Sequence, residues 1–592
     1  MPVTIENKPN ISEKLKEKLV NMEARQSPFE KAVRELDVDI AKAFISGKAV
    51  KPVFFENTGR KLKATDAKLD AFSKIIAEND NNVLEGKKTL VDVKGKRVAV
   101  LFSGGPAAGG HNVLAGLKKV LGVDNTLFGI GAGPKGLLQG RLFELKDEDV
   151  ARVFNLGGFD LLGSDRTKIT TTEQFEMVKK TVKDYNLDGI VIIGGDDSNT
   201  NAAFLAEYLY DEGCKVIGVP KTIDGDLQVG DLVPISFGFD TATKVYAELV
   251  GNILQDTPSS RKYWHFVKLM GRSASHVALE VALRTRASIT IISEEIAEKK
   301  MTLNELVEGL AKVIAIRAAK GIKHGVIVVP EGVIEFIPEF KQLISELNEA
   351  IGESEADMSN LSLNQKLALI KLSIESATLL GSLPPEIENK LFMDRDSHGN
   401  LQVSQIPTEL LLIQMTEKKI DEMKSNPDKF FGKGKIDLDN EELSKFYRFS
   451  FKTNSHFFGY EGRCGAPSRF DASYTYNLGL VAGSLILQGK TGYMAGLTGL
   501  DSGARPVAVP LTGLIVIERR HGKDEMVIKK ALVDQNSPAF KYFQERRREW
   551  EKKDVFSSPG PRQMWGPTSR ELPFTVALNQ GYENMEYSIG DS

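Results

Sequence analysis

The stretch Ile192–Asp226, IIGGDDSNTNAAFLAEYLYDEGCKVIGVPKTIDGD, decides the fold. The apolar run Gly189–Ile193 ends in two glycines and then Asp196 and Asp197, which is how a buried parallel strand delivers acidic side chains to the crevice at its C-terminal end. A helical pattern follows Ser198, with Ala203, Leu205, Leu209 and Tyr210 apolar. Lys215–Val219 reads as the next strand and opens into Pro220, Lys221, Thr222, Ile223, Asp224, Gly225 and Asp226. One β-α-β unit therefore sets Asp196, Asp197, Lys221, Asp224 and Asp226 on neighbouring strand ends. Carboxylates so close repel one another unless a cation or hydrogen bonds offset them, so the cluster points to a divalent ion and to phosphate chemistry.

Working outward, Val98–Phe102 reads as a strand that runs into SGGPAAGGHNVLAGLKKVLG, a glycine-rich turn before an amphipathic helix. Gly104, Gly105, Gly109 and Gly110 let backbone approach a ligand, and a helix beginning near His111 would aim free N–H groups at a phosphate. Neither GxxxxGK[ST] nor GxGxxG is present there. Gly131–Gly136, GAGPKG, does satisfy GxGxxG, but Pro134 and GLLQGR do not read as the helix a dinucleotide site requires. Gly489, Lys490 and Thr491 imitate the end of a P-loop, yet Gly489 reads as a helix stop.

The loop GGFDLLGSDRTK, Gly157–Lys168, carries Arg166 and Lys168, suited to gripping a phosphate by charge-assisted hydrogen bonds. Beyond the central unit, helix 239–255, strand Trp264–Leu269, helix 273–286, strand Ser288–Ile292, helix 302–320 and strand Gly325–Val329 continue the alternation of a doubly wound α/β protein. Two of these strand ends are polar: Met270, Gly271 and Arg272, and Pro330, Glu331 and Gly332. An arginine and a glutamate so presented fit a phosphorylated sugar, the one for the phosphoryl charge and the other for a hydroxyl. His456–Phe470 reads as a glycine-punctuated loop holding Arg463 and Arg469.

The composition, 41% hydrophobic and 27% charged over 592 residues, supports two or three domains with ample core, and a net charge of -3 gives no broad attraction for nucleic acid. Cys214 and Cys464 lack metal-ligand spacing, so plain core thiols in a reducing compartment are expected, the cytoplasm. No signal-like N-terminus and no run of about 18 apolar residues is present, so no membrane partner is expected. The expected organisation is an N-terminal helical extension over 1–94, an α/β domain for donor and metal over 95–256, and a sugar-phosphate α/β domain over 257–334. A helical insert over 335–448, a return to the α/β domains over 449–540 and a polar, irregular tail over 541–592 complete it. The helical spacing of Ile11, Leu15 and Leu19, and of Phe29, Val33, Leu36 and Ile40, supports the first of these.

Seven motifs in order, SGGPAAGGHN, LLGSDR, IGGDDS, PKTIDGD, LMGR, VPEG and GYEGR, resemble the phosphofructokinase superfamily, most closely its long pyrophosphate-dependent members. The resemblance covers roughly 95–335 and 450–520. It implies two Rossmann-like domains and Mg²⁺-dependent, reversible phosphoryl transfer from pyrophosphate to the 1-hydroxyl of fructose 6-phosphate. By the same resemblance Gly104, Gly105 and Arg166 contact the donor, Asp196 is the Mg²⁺ ligand, and Asp226 organises the metal shell. Thr222, Ile223 and Asp224 meet the sugar, with Asp224 accepting the proton. Met270, Gly271 and Arg272 hold the sugar phosphate, Glu331 a sugar hydroxyl, and Tyr460, Glu461, Gly462 and Arg463 the 6-phosphate. Lys262 and Tyr263 reach into a partner subunit's site, which implies a homodimer.

Donor choice rests on Asp197 and Lys221, which stand where ATP-using members resemble GGDGS and GTIDND. A carboxylate fills the room a nucleoside needs, and a lysine neutralises the terminal oxygens of pyrophosphate. The chain departs from the usual GGPAPGG at Ala108. The rival expectations are an ATP-dependent sugar kinase of the same fold and a non-catalytic regulatory subunit; the second should lack Asp224 or the arginines, which are present.

Overall fold

The structure, a computed structural model, describes residues 9–63, 70–89, 93–352, 365, 369–392, 406–520 and 523–560. Its organising element is a mixed sheet, ten-stranded among the described residues. In chain order its main strands are β1 (Val53–Lys61), β2 (Asn82–Thr89), β3 (Arg97–Ser103), β4 (Thr126–Ile130), β5 (Leu142–Glu144), β6 (Gly189–Gly194) and β7 (Lys215–Pro220). A second sheet is formed by β8 (Trp264–Leu269), β9 (Ile289–Thr290), β10 (Gly325–Pro330) and β11 (Thr453–Phe458). Two more strands, β12 (Tyr493–Thr498) and β13 (Arg505–Pro510), return to the first.

The large sheet runs β1-β2-β13-β12-β7-β6-β3-β4-β5. Its centre is parallel, with Val100 opposite Val191 and Ile217 opposite both Val191 and Tyr493. Both faces are covered, as central parallel strands require. Val98, Val100, Phe102, Val191, Ile193, Ile217 and Val219 enter one apolar core, while Ala99, Leu101, Ile190, Ile192 and Val216 enter another. The first face is closed by α1 (Gly110–Leu121) packed on α2 (Arg469–Leu487). Those helices touch backbone to backbone: a methyl on Gly116 would lie 1.9 Å from the Tyr476 carbonyl, and one on Gly479 2.2 Å from that of Val113. The second sheet, ordered β9-β10-β8-β11 and parallel throughout, gives Val267, Leu269, Val326 and Val328 to the same first core. Its other face, Trp264, Phe266, Ile327 and Val329, packs on the helices of residues 303–319 and 408–425.

Several expectations change. The N-terminal extension is not only helical. Pro9–Ala24 and Pro28–Arg34 are helices, which leaves Leu36 and Ile40 outside, and β1 and β2 then join the large sheet antiparallel, with β1 at its edge. Residues 453–458 form β11, so the expected loop begins only after Phe458; as the edge strand beside β8 it is half-exposed and lacks a buried alternation. Ser288–Ile292 shortens to β9 and is followed by a helix at Ser293–Lys299. The tail is not irregular from 541, because Pro538–Lys552 is a helix burying Phe540, Phe543 and Trp550. GAGPKG does start a helix, Gly133–Leu138, but of six residues only, and a methyl on Gly133 would meet Phe102 O at 2.6 Å, so its N-terminus is filled by protein. The described part of 335–448 is mostly helical, and Gly489 follows the last residues of α2 with φ +79°. Cys214 is buried, whereas Cys464 is exposed rather than a core thiol. Among the described residues no helix is long and apolar enough to cross a membrane.

Candidate active site

Parallel strands bring their C-terminal ends to one edge, and the two sheets turn those edges toward each other. On the first sheet β3 delivers Gly104 and Gly105, β6 delivers Asp196 and Asp197, and β7 delivers Lys221 to Asp226. On the second, β8 delivers Met270 to Arg272, β10 delivers Glu331, and β11 delivers Tyr460 to Arg463.

The helix after β6, α3 (Asp196–Tyr208), begins at the aspartates themselves and not after Ser198, with Gly195 as its N-cap. Asp196 and Asp197 thus occupy its first turn, where the positive end of the helix dipole favours negative charge by about 0.3–1 kcal/mol each. Asp196 Oδ2 is buried and makes no hydrogen bond.

Lys221 leaves β7 with its amide on the Gly194 carbonyl, 2.9 Å, and its side chain runs inward, buried. Its ammonium reaches the glycine turn: a methyl on Gly104, whose φ of +81° needs a glycine, would lie 3.3 Å from Nζ. Burial lowers the Lys221 pKa to about 8, the Arg463 and Arg166 charges add to this, and Asp224 and Asp196 oppose it. A methyl on Gly105 would come within 2.3 Å of the Arg463 guanidinium and 3.6 Å of that of Arg166. Three cations therefore converge on the Gly104–Gly105 turn. Arg463 belongs to the loop expected to hold the sugar 6-phosphate, yet here its Nε lies 3.4 Å from Pro106 O, on the donor side.

Asp224 stands between the two sheets. Its amide donates to Thr222 Oγ1, 3.1 Å. Its carboxylate acts on Lys221, Asp226, Tyr246, His276, Glu331 and Lys530. Burial, with Asp224 second, pushes Asp226 up to about 7 and Glu331 up to about 7. Glu331 accepts from the Gly271 N–H at 2.9 Å, and a methyl on Gly332 would lie 1.8 Å from Arg272 O, so these two strand ends are locked together. Met270 N donates to Phe458 O, 3.0 Å, and its Cε lies over Gly459. Glu461 folds back to accept from Gly459 N at 2.7 Å, Gly462 is buried against Tyr246, and Tyr460 stands 67% exposed.

Not every expected residue converges. The Ile223 side chain lies in the core, so only its backbone faces the site. Lys262 and Tyr263 precede β8, whereas the site follows its end; a six-residue strand separates them by about 20 Å. Lys168 pairs with Glu525 at 3.4 Å, and Arg469 with Asp39 at 2.9 Å, so neither adds charge to the turn. His111 is buried, its Nδ1–H donates to Leu156 O at 3.3 Å, and burial lowers its pKa to about 4, which makes it a neutral structural group.

Two residues of the site carry no motif. Tyr246, from the helix Phe239–Ser260, donates its hydroxyl to Gly459 O and is held protonated by burial, with Asp224 next. Lys530 enters from a distant segment, its Nζ 3.6 Å from Asp196 Oδ2 and 3.7 Å from Asp226 Oδ2. The cation that offsets the aspartates here is thus an ammonium. Among the described residues no three His, Cys, Asp or Glu side chains form a complete metal cluster. That suits magnesium, which takes one or two carboxylates and fills the rest of its shell with water and substrate phosphate oxygens. Asp196 Oδ2, which makes no hydrogen bond, is a donor atom of the required kind.

The phosphofructokinase family model matches residues 97–366. The pyrophosphate–fructose 6-phosphate 1-phosphotransferase of Treponema pallidum is 46% identical over 87% of this chain and 88% of its own length. The chain belongs to the phosphofructokinase family. Subunit beta 2 of the Arabidopsis thaliana enzyme of the same name is 44% identical, covering 86% of this chain and 85% of that one. Among solved phosphofructokinase structures, the pyrophosphate-dependent one from Nitrosospira multiformis aligns with 80% of this chain and 95% of that one, at 15% identity and a TM-score of 0.48.

Proposed function

We propose that this phosphofructokinase-family chain moves a phosphoryl group from pyrophosphate to the 1-hydroxyl of fructose 6-phosphate, releasing phosphate and fructose 1,6-bisphosphate, reversibly. The observation that carries this reading is the position of Asp224, between a cationic glycine turn and a second set of strand ends offering Glu331 and Arg272. Gly104, Gly105, Arg166 and Lys221 would hold the donor. Thr222, the Ile223 backbone, Met270, Gly271, Arg272, Glu331 and Tyr460 to Arg463 would hold the sugar phosphate, with Arg463 reaching toward the donor.

In the forward direction the sugar O1–H gives its proton to Asp224 as O1 bonds to the terminal phosphorus, and the P–O–P bond breaks. Lys221 takes up the charge growing on the departing phosphate, and Arg272 that on the transferring phosphoryl group. Asp196, with Asp226 behind it, would hold Mg²⁺, whose chemistry when bound is to neutralise phosphate oxygens. A homodimer in the cytoplasm fits this reading: Lys262 and Tyr263, remote from their own site, would serve a partner's, and two unpaired cysteines suit a reducing compartment.

The test is a coupled assay of the purified protein with Mg²⁺, fructose 6-phosphate and either donor. Turnover with pyrophosphate and none above background with ATP is expected, and comparable turnover with both would overturn the donor assignment.

Glu331 gives a pH signature. Its carboxyl, raised from 4.5 to about 7, binds a proton in the folded state over that window and not in the unfolded chain. Its contribution to stability is therefore complete below pH about 4.5 and is lost as pH rises through about 7. Between pH 5 and 7.5 the ligand-free wild type should lose about 2–4 °C of Tm more than Glu331→Gln does. KM for fructose 6-phosphate should move the other way, falling as the carboxylate forms, and the variant should flatten that profile.

A further inference from the structure

The segment after the hairpin of strands Ile515–Arg520 and Lys523–Ile528 straps the two sheets together. On the side of the large sheet, Ile528 N donates to Thr200 Oγ1 at 3.0 Å and Ala531 N to Asp226 O at 2.7 Å. On the other side, Ala531 O accepts from His276 Nε2 at 2.9 Å and Val533 N donates to Glu294 Oε1 at 2.9 Å. Lys530 lies between these ties. Its ammonium donates to Ser273 Oγ at 2.9 Å and stands almost equidistant from one oxygen of Asp196 and one of Asp226, too far from either for a hydrogen bond. One charge is thus shared by two carboxylates, and the ammonium is anchored by a third group that belongs to neither.

That geometry differs from an ordinary ion pair. A lysine serving only to tie the strap down would close on one carboxylate at hydrogen-bond distance. Here the strap's backbone bonds already fix the segment, and the ammonium occupies the space beside Asp196 Oδ2, which makes no hydrogen bond. Asp196, Asp224 and Asp226 together would repel without a cation, and Lys530 supplies one while no donor is bound.

We propose that Lys530 is a positioning residue, the built-in counter-ion of the metal cradle, which neutralises Asp196 and Asp226 in the ligand-free enzyme and gives up Asp196 to magnesium only when the metal arrives with pyrophosphate. This rests on the reading of Asp196 as the metal ligand. It predicts that free divalent metal binds the ligand-free enzyme weakly because the ammonium competes for the same oxygen.

The experiment is Mn²⁺ binding to the full chain without pyrophosphate, followed by electron paramagnetic resonance, together with the Tm at zero and saturating Mn²⁺. Lys530→Met, which keeps an unbranched side chain one atom shorter and removes the charge, should bind Mn²⁺ at least tenfold more tightly than wild type. It should melt at a lower temperature without metal and recover when Mn²⁺ is added. Lys530→Arg should behave as wild type. If the methionine variant does not fold, Lys530→Gln carries the same test. An unchanged Mn²⁺ affinity in a folded neutral variant, or metal binding weaker than wild type, would overturn the proposal. Asp196→Asn separates it from the reading beneath: Mn²⁺ binding undiminished by that change would remove Asp196 as the ligand, whatever Lys530 does.

Discussion

Replacing Asp224 by asparagine is expected to lower kcat with pyrophosphate by about 10²–10⁴-fold while leaving both KM values within about threefold. The substitution keeps the shape of the side chain and the backbone bond to Thr222, so both substrates can still dock. What is lost is the only step in which a proton leaves the sugar hydroxyl for the protein. The same change removes a negative charge that now raises Asp226 and Glu331 and supports the charge on Lys221. The Glu331-dependent pH profile should therefore shift to lower pH in Asp224→Asn, an effect that mere loosening of the fold would not produce. Turnover left near wild type would remove Asp224 from the chemistry.

The second large effect concerns the donor. Lys221→Gly should reduce kcat/KM for pyrophosphate by about 10²–10³-fold, the usual cost of removing one preorganised group that stabilises transition-state charge. The structure makes this sharper than the sequence did, because Lys221 Nζ lies directly against the Gly104 turn and shares it with Arg166 and Arg463. Asp197→Gly alone should change pyrophosphate kinetics little. Combined with Lys221→Gly it should open the first turn of α3 enough for ATP turnover to appear. If the double variant gains no ATP activity, nucleoside exclusion has another source than these two side chains.

How legible the site was depends on how local each signal is. Asp196, Asp224, Arg272 and Glu331 each sit one to four residues beyond the end of a buried, largely apolar strand, so period and composition alone place them at strand ends. β11 is not legible in the sequence because TNSHFF, half-exposed along an edge, has neither alternation nor a continuous apolar run. The helix Pro538–Lys552 did carry a signal, Phe540, Phe543 and Trp550 on helical spacing, outweighed by the charge of QERRREWEK. β1 and β2 give little signal because the outer margin of a sheet, unlike its centre, need not be apolar.

By itself the sequence determined the alternation of strands and helices, the acidic and glycine-rich strand ends, and hence the family and the class of chemistry, because these depend on contacts a few residues apart. The tertiary structure decided which charges share a space. It put Arg463 on the glycine turn, Tyr246 beneath Gly459, and Lys530 between two aspartates more than three hundred residues away in the chain. The physical reason is that electrostatic interaction depends on separation through space and on burial, and no local pattern records which distant segment will close over a strand end.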